Sequence, residues 1–223
     1  MQNNQPQYKF YATLLDAFRW YRASESENAL QEFIDKINRV EIVDEKALER
    51  MNKGTALNNL VDNQVKNHVF CEADKISSIV DNTEFTFDAK IVNELGDRLE
   101  LSIPQHYIEC TIKINGVEVL LYGYIDYLQL NRCIDLKTTS KYELGKYKDN
   151  MQMHLYPVAL KENGIDVDEF EFIVTDFKDV YSEVYPVTID NSLGILNNEC
   201  ALLIEFLELK KDLITNKKIF GLE

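Results

Sequence analysis

The stretch from Leu120 to Leu160, LLYGYIDYLQLNRCIDLKTTSKYELGKYKDNMQMHLYPVAL, restricts this chain more than any other. It reads as two strands joined by a tight turn and then one amphipathic helix, with Gly123, Asp126, Asp135, Lys137, Gln152 and Tyr156 set among apolar neighbours. Burying two carboxylates and a lysine together costs several kcal/mol unless they are paired or hold a metal. A fold that accepts this stretch therefore has to gather those groups.

The flanking segments predict a mixed α/β chain. Phe10 to Tyr21 carries Leu14, Ala17, Phe18 and Tyr21 at helical spacing. Ser24 and Glu27 read as a capping box for a second helix striped by Leu30, Phe33, Ile34, Ile37 and Val40. Asp44 caps a third helical run, interrupted near Gly54 and continuing to Asn67. No clear pattern marks Cys71 to Asn82; Asp88 then caps a helix built on Ile91, Val92, Leu95 and Leu99.

Beyond Pro104 the period changes to two. Tyr107 to Ile114 and Val117 to Leu128 flank Asn115-Gly116, a strong hairpin turn, and a second turn leads to Cys133 to Lys137, giving an antiparallel meander. A helix follows over Glu143 to Glu162, with a kink expected at Pro157. Strands Phe170 to Phe177 and Val180 to Val187 and a helix over Ser192 to Leu213 complete a mixed α/β fold, a central mixed β-sheet flanked by helices. The expected organisation is one domain over 1–223, with an N-terminal helical part (1–67), a sheet core carrying the motif helix (107–188) and a C-terminal helix (190–213).

Charge bounds the chemistry. A net charge of −14 argues against nonspecific coating of nucleic acid, yet Asn131 to Lys148 holds five cations and two anions. Cys71, Cys110, Cys133 and Cys200 are scattered, as are His68, His106 and His154, so neither a disulfide framework nor a zinc site is expected. The N-terminal MQNNQPQYKF lacks a basic-then-apolar signal pattern and no apolar run is long enough to span a bilayer, so a cytoplasmic protein without a membrane partner is expected. Trp20 and its aromatic neighbours suit core packing better than base stacking.

On a strand, Asp135 and Lys137 emerge on one face, and the hairpin carries Asp126 toward Asp135. Two carboxylates at a strand end can hold Mg²⁺ or Mn²⁺, with the Leu136 carbonyl as a further oxygen. A lysine beside such an ion can position or deprotonate water, or stabilise charge on a phosphate. The bland alternatives stay open. Asp135 can be a structural partner of Lys137 or Arg132, and Gln152 and Tyr156 can be core residues. Glu109 is a weaker acidic candidate.

Three elements taken in order, G-x-x-D at Gly123 to Asp126, D-L-K-T at Asp135 to Thr138 and Q-x-x-x-Y at Gln152 to Tyr156, resemble the RecB-like branch of the PD-(D/E)xK nuclease superfamily. The resemblance spans about Gly54 to Leu160 and implies a restriction-endonuclease-like core with an N-terminal helical elaboration. It implies metal binding by Asp126 and Asp135, a catalytic Lys137, and support or DNA contact from Gln152 and Tyr156. An earlier family motif, G-x-x-x-H followed by an acid, is similar to Gly54 to Asp62 and makes Asn58 and Asp62 candidate metal residues, with Asn58 where histidine is common. The iron–sulfur cluster of some relatives is not expected, since Cys200 is alone near the end of the chain.

The implied activity is a metal-dependent deoxyribonuclease, an exonuclease or DNA-end-processing enzyme of recombination, repair or phage DNA metabolism. Its low basic charge points to help from a DNA-binding protein partner or a homo-oligomer. Two other readings compete: a non-catalytic module of the same fold docking on a protein through its acidic surface, and a nuclease acting on RNA.

Overall fold

The computed structural model describes residues 6–41 and 44–222; the polar leader at 1–5 lies outside them. In chain order the elements are β1 (Tyr8–Tyr11), α1 (Ala12–Ala23), α2 (Ala29–Asn38), α3 (Glu45–Asn67), β2 (Lys75–Val80), β3 (Thr83–Asp88), α4 (Ala89–Arg98), β4 (Ile103–Ile114), β5 (Val117–Gln129), β6 (Arg132–Thr138), α5 (Gln152–Glu162), β7 (Glu169–Thr175), β8 (Val180–Pro186) and α6 (Ile189–Leu209).

A six-stranded mixed sheet is the framework. β4, β5 and β6 are consecutive antiparallel strands, as the alternation predicts, and Asn115 and Gly116 both take positive φ at the β4–β5 turn. β7 then runs parallel to β6 and β8 antiparallel to β7. On its other edge β5 changes partner along its length: Val119 to Tyr122 pair with β1, whereas Tyr127 to Gln129 pair with β6. Gly123 to Asp126, the whole G-x-x-D motif, occupies the fork between those two pairings.

Apolar residues cover both faces of the sheet. One core packs α1, α2, α5 and α6 around Phe10, Leu121, Ile125, Cys133 and Phe172. The other packs α3, α4 and the β2–β3 hairpin on Tyr127, Ile134, Leu136 and Ile173. The strict alternation of β6 divides its residues accordingly: Ile134 and Leu136 enter the second core, and Cys133 enters the first. Asp135 and Lys137 therefore project on the α1/α5 side.

Several local expectations are corrected. Phe10 and Tyr11, expected to open the first helix, belong instead to the strand Tyr8–Tyr11, and the helix starts at Ala12. Ser24 follows α1 rather than capping α2, whose N-cap is Asn28, and Val40 lies exposed beyond the left-handed Arg39. Asp44 does cap α3, accepting from the Lys46 and Ala47 amides, but that helix runs unbroken through Gly54. Cys71 to Asn82 includes β2, which pairs with β3 through Asp81-Asn82 at positive φ. The motif helix starts at Gln152 rather than Glu143 because the preceding turns are fastened elsewhere: Gly145 takes φ +76° and its amide donates to Glu183. α5 then runs through Pro157, whose missing N–H withholds the donor due to the Met153 carbonyl.

All four cysteines are free thiols. No helix among the described residues is long and apolar enough to cross a membrane.

Candidate active site

The fork in the sheet builds the site. Where β5 and β6 separate, a backbone donor needs a new acceptor, and the Leu136 N–H donates to Asp126 Oδ2 at 2.9 Å. The N–H and C=O of one strand residue point to the same side, so the Leu136 carbonyl also faces the fork. Asp135, only 1% exposed, forms an ion pair with Lys137 at 2.6 Å that is not aligned as a hydrogen bond. Arg132, the other partner considered for Asp135, instead bonds Glu171 at 2.5 Å.

Gln152 closes the group. Its Oε1 accepts from Lys137 Nζ at 2.8 Å and its Nε2 donates to Asp135 Oδ1. The ammonium and the carboxylate thus each define one end of the amide. One turn along α5, Tyr156 lies over Gly123. A Cβ at Gly123 would come within 2.7 Å of the Tyr156 ring. The glycine of G-x-x-D and the tyrosine of Q-x-x-x-Y are therefore two halves of one contact.

α3 approaches from the opposite face. Gly54 packs on Thr138, the last residue of β6, where a Cβ would come within 3.0 Å of Oγ1. Two turns later Asp62 accepts from the Tyr127 hydroxyl at 2.6 Å, and Lys66 is 3.9 Å from its other oxygen. Gly54, Asn58 and Asp62 form one i, i+4 row on α3, with Asn58 midway between the two anchored ends. Asn58 Oδ1 is buried and has no hydrogen-bond partner among the described residues. Asp126, Asp135, Leu136, Lys137, Gln152 and Tyr156 thus gather around one fork, Asp62 lies on the α3 side close enough for its charge to raise Asp126, and no hydrogen bond or ion pair among the described residues joins Asn58 to them. Glu109 does not join them; it is exposed on β4 and accepts from Tyr107.

Asp16 is a component that sequence reasoning missed. Its Oδ1 accepts the Met151 N–H at 2.8 Å, fixing the start of α5 one residue before Gln152. Burial raises its pKa to about 6 against the pull of that amide and of Lys137, and Asp135 adds to the rise. The one available signal was a lone acid in an otherwise non-acidic first helix, ATLLDAFRWYRA.

Charge in the site is unbalanced. Burial, then repulsion from Asp135, pushes the Asp126 carboxyl up to about 8, although Lys137 and the Leu136 amide oppose this. Burial likewise raises Asp135 despite Lys137 and Gln152. For Lys137 burial disfavours the charge, but Asp135, then Asp126 and Asp16, outweigh it and hold its pKa above the ordinary value. Asp135, Asp126 and Asp16 thus favour the ammonium form of Lys137, which suits positioning of water and stabilisation of charge on a phosphate.

The donor set suits a hard divalent cation. Two carboxylates whose pKa values burial raises, a carbonyl facing the same gap and an amide oxygen without a hydrogen-bond partner among the described residues are the kinds of ligand Mg²⁺ and Mn²⁺ prefer. No group of three or more Asp, Glu, His or Cys side chains among the described residues is tight enough to hold an ion alone. Backbone, amide or solvent oxygens would have to complete the coordination.

No curated protein matches the chain. Among solved structures it is similar to the crystal structure of SSO0001, at 12% identity and a TM-score of 0.45 over 91% of this chain and 78% of that one. It is also similar to Scheffersomyces stipitis Rai1, at 14% identity and a TM-score of 0.25 over 95% and 78%. Neither likeness is close enough to bear on the site. Residues 28–192, most of the chain and every motif described above except Asp16, match the PD-(D/E)XK nuclease superfamily model. With a restriction-endonuclease-like mixed sheet, flanking helices and N-terminal helices, the chain belongs to the PD-(D/E)XK nuclease superfamily, whose members generally hydrolyse phosphodiester bonds.

Proposed function

We propose that this chain is a metal-dependent deoxyribonuclease of the RecB-like branch, acting on DNA ends as an exonuclease or end-processing enzyme, and that residues 1–223 work as one domain. The observation that carries this reading is the Gln152 bridge between Asp135 and Lys137 at the fork opposite Asp126. A purely structural ion pair would need neither the bridging amide nor a second buried carboxylate beside it. The Tyr156 contact on Gly123 supports the RecB-like assignment, because it gives both residues of Q-x-x-x-Y a place at the site.

Asp126, Asp135 and the Leu136 carbonyl would hold Mg²⁺ or Mn²⁺, with Asn58 Oδ1 and Asp62 on the α3 side. Bound there, the cation supplies positive charge that eases ionisation of water and the growth of charge on a phosphate. Lys137, kept protonated by Asp135, stabilises negative charge on the scissile phosphate. Gln152 keeps that ammonium aimed, and Asp16 keeps Gln152 in place by anchoring α5. A DNA-binding protein partner or a homo-oligomer adds to the weak unaided DNA affinity expected of a chain of net charge −14.

The test is cleavage of end-labelled linear duplex, single-stranded and covalently closed circular DNA, and of RNA, with Mg²⁺ or Mn²⁺, for wild type, Asp135→Ala and Lys137→Ala. Cutting of linear but not closed DNA, lost in both variants, is the expected result. Wild-type inactivity on every substrate, or variants as active as wild type, would refute it and leave the rival reading, a protein-docking module favoured by the acidic surface and by Asn58 in place of histidine.

A further inference from the structure

Next to the fork, past the end of β6, a cleft of about 840 Å³ opens between α3, the β6–α5 connection and the β7–β8 turn. Arg50, Lys53, Lys146 and Lys178 line it, with Asp176 as its one acidic residue among the described ones. That carboxylate is already engaged, accepting from the Lys178 and Asp179 amides of its own turn. None of the four cations forms an ion pair among the described residues, in a protein with fourteen more anions than cations. Thr138, which follows Lys137 directly, is part of the wall, so the cleft begins one residue from the site.

Lys53 is held in position. Its Nζ lies 4.0 Å from the centre of the Phe177 ring, which stacks in turn on Phe87 at 6.0 Å. Phe177 takes φ +71°, a costly conformation for a bulky residue, so the surrounding turn imposes this placement. Since the ring already contacts Phe87 and Lys53, it is not free to stack a base. Ammonium and guanidinium groups are left to meet phosphates, which carry no sequence information.

We propose that this cleft binds the sugar–phosphate backbone of one nucleic-acid strand next to the scissile phosphate, through Arg50, Lys53, Lys146 and Lys178 and without sequence preference. The proposal rests on the nuclease reading and names where its substrate lies. It also locates the useful part of the basic Asn131 to Lys148 segment: Arg132 is taken up by Glu169 and Glu171 and Lys137 by Asp135, while Lys146 reaches the cleft.

The experiment combines Arg50→Ala, Lys53→Ala and Lys178→Ala in one variant and measures anisotropy of a labelled oligothymidylate in EDTA across a salt series. A control of equal charge carries Lys113→Ala, Lys161→Ala and Lys211→Ala. Each lost phosphate contact lowers the log–log salt slope by about 0.7 for a single strand, so the cleft variant should lose about 2 units and the control essentially none. Hydrolysis of bis(p-nitrophenyl) phosphate, too small to reach the cleft, should be the same in wild type and cleft variant. Equal salt slopes for wild type and cleft variant, an equal loss in the control, or no wild-type binding at low salt would each overturn the cleft. If wild type hydrolyses neither the small diester nor DNA, the nuclease reading fails instead, and the salt slopes still decide whether the cleft binds nucleic acid.

Discussion

Asp126→Asn should make the metal-free protein more stable while removing its activity. The carboxyl rises from an ordinary 3.8 to about 8 on folding, chiefly through burial and the Asp135 charge. A group whose pKa rises on folding costs nothing below about pH 4, where both states are protonated, and stability falls as pH climbs from there toward 8. At pH 7 the full span is roughly 3 pH units, about 4 kcal/mol at 1.36 kcal/mol each, which the partial exposure of Asp126 and the nearby Lys137 ammonium reduce to about 2. An asparagine does not titrate, and its amide oxygen can still accept from Leu136 N–H. For a chain of this size about 2 kcal/mol corresponds to a rise of roughly 4–8 °C in Tm. Calorimetry in EDTA should give a large gap between variant and wild type at pH 7.5 that shrinks toward pH 4. Added Mg²⁺ should stabilise wild type and leave the variant nearly unchanged. A variant less stable than wild type at both pH values, or a gap independent of pH, would show that Asp126 is not strained by its own charge.

Two further substitutions probe the α5 side of the site. Gly123→Ala places a methyl group within 2.7 Å of the Tyr156 ring, so urea unfolding should show a loss of about 1–3 kcal/mol, and nuclease assays a lower kcat as α5 is pushed off the fork. Gln152→Leu removes both the donor to Asp135 and the acceptor for Lys137; about a 10–100-fold fall in cleavage rate is expected, with weaker Mn²⁺ binding by isothermal titration, whereas unchanged metal affinity would count against a link from Gln152 to the carboxylates.

The meander and its chemistry were legible in the sequence because their signals are local. Alternation in β4 to β6, the Asn115-Gly116 turn and the two-residue step from Asp135 to Lys137 depend only on near neighbours. What stayed hidden was non-local or lacked a strong marker. Tyr8–Tyr11 is four residues long and acquires its identity by pairing with Val119 to Tyr122, more than a hundred positions away. The β2–β3 hairpin turns on Asp81-Asn82 without a glycine, and no residue of β2 is fully buried, so neither the turn nor the alternation stands out. Asp16 sits in a helix with no spacing relation to any motif, and its role emerges only once α1 meets Met151.

Asn58 shows what the missing histidine changes. An imidazole at this position would bring a nitrogen ligand that must stay neutral to bind metal, and so a pH dependence of its own. An amide does not titrate, and its oxygen matches the hard donors proposed for Asp126, Asp135 and Leu136. The row from Gly54 to Asp62 is fixed without it: Gly54 lets α3 close on Thr138, and Tyr127 holds Asp62. The middle position is therefore placed by its neighbours whatever side chain it carries. An oxygen buried there with no hydrogen-bond partner among the described residues carries a desolvation cost. That cost has the same sign as the raised pKa of Asp126, and the proposed cation would relieve both, so metal binding and folding stability should be linked in this chain.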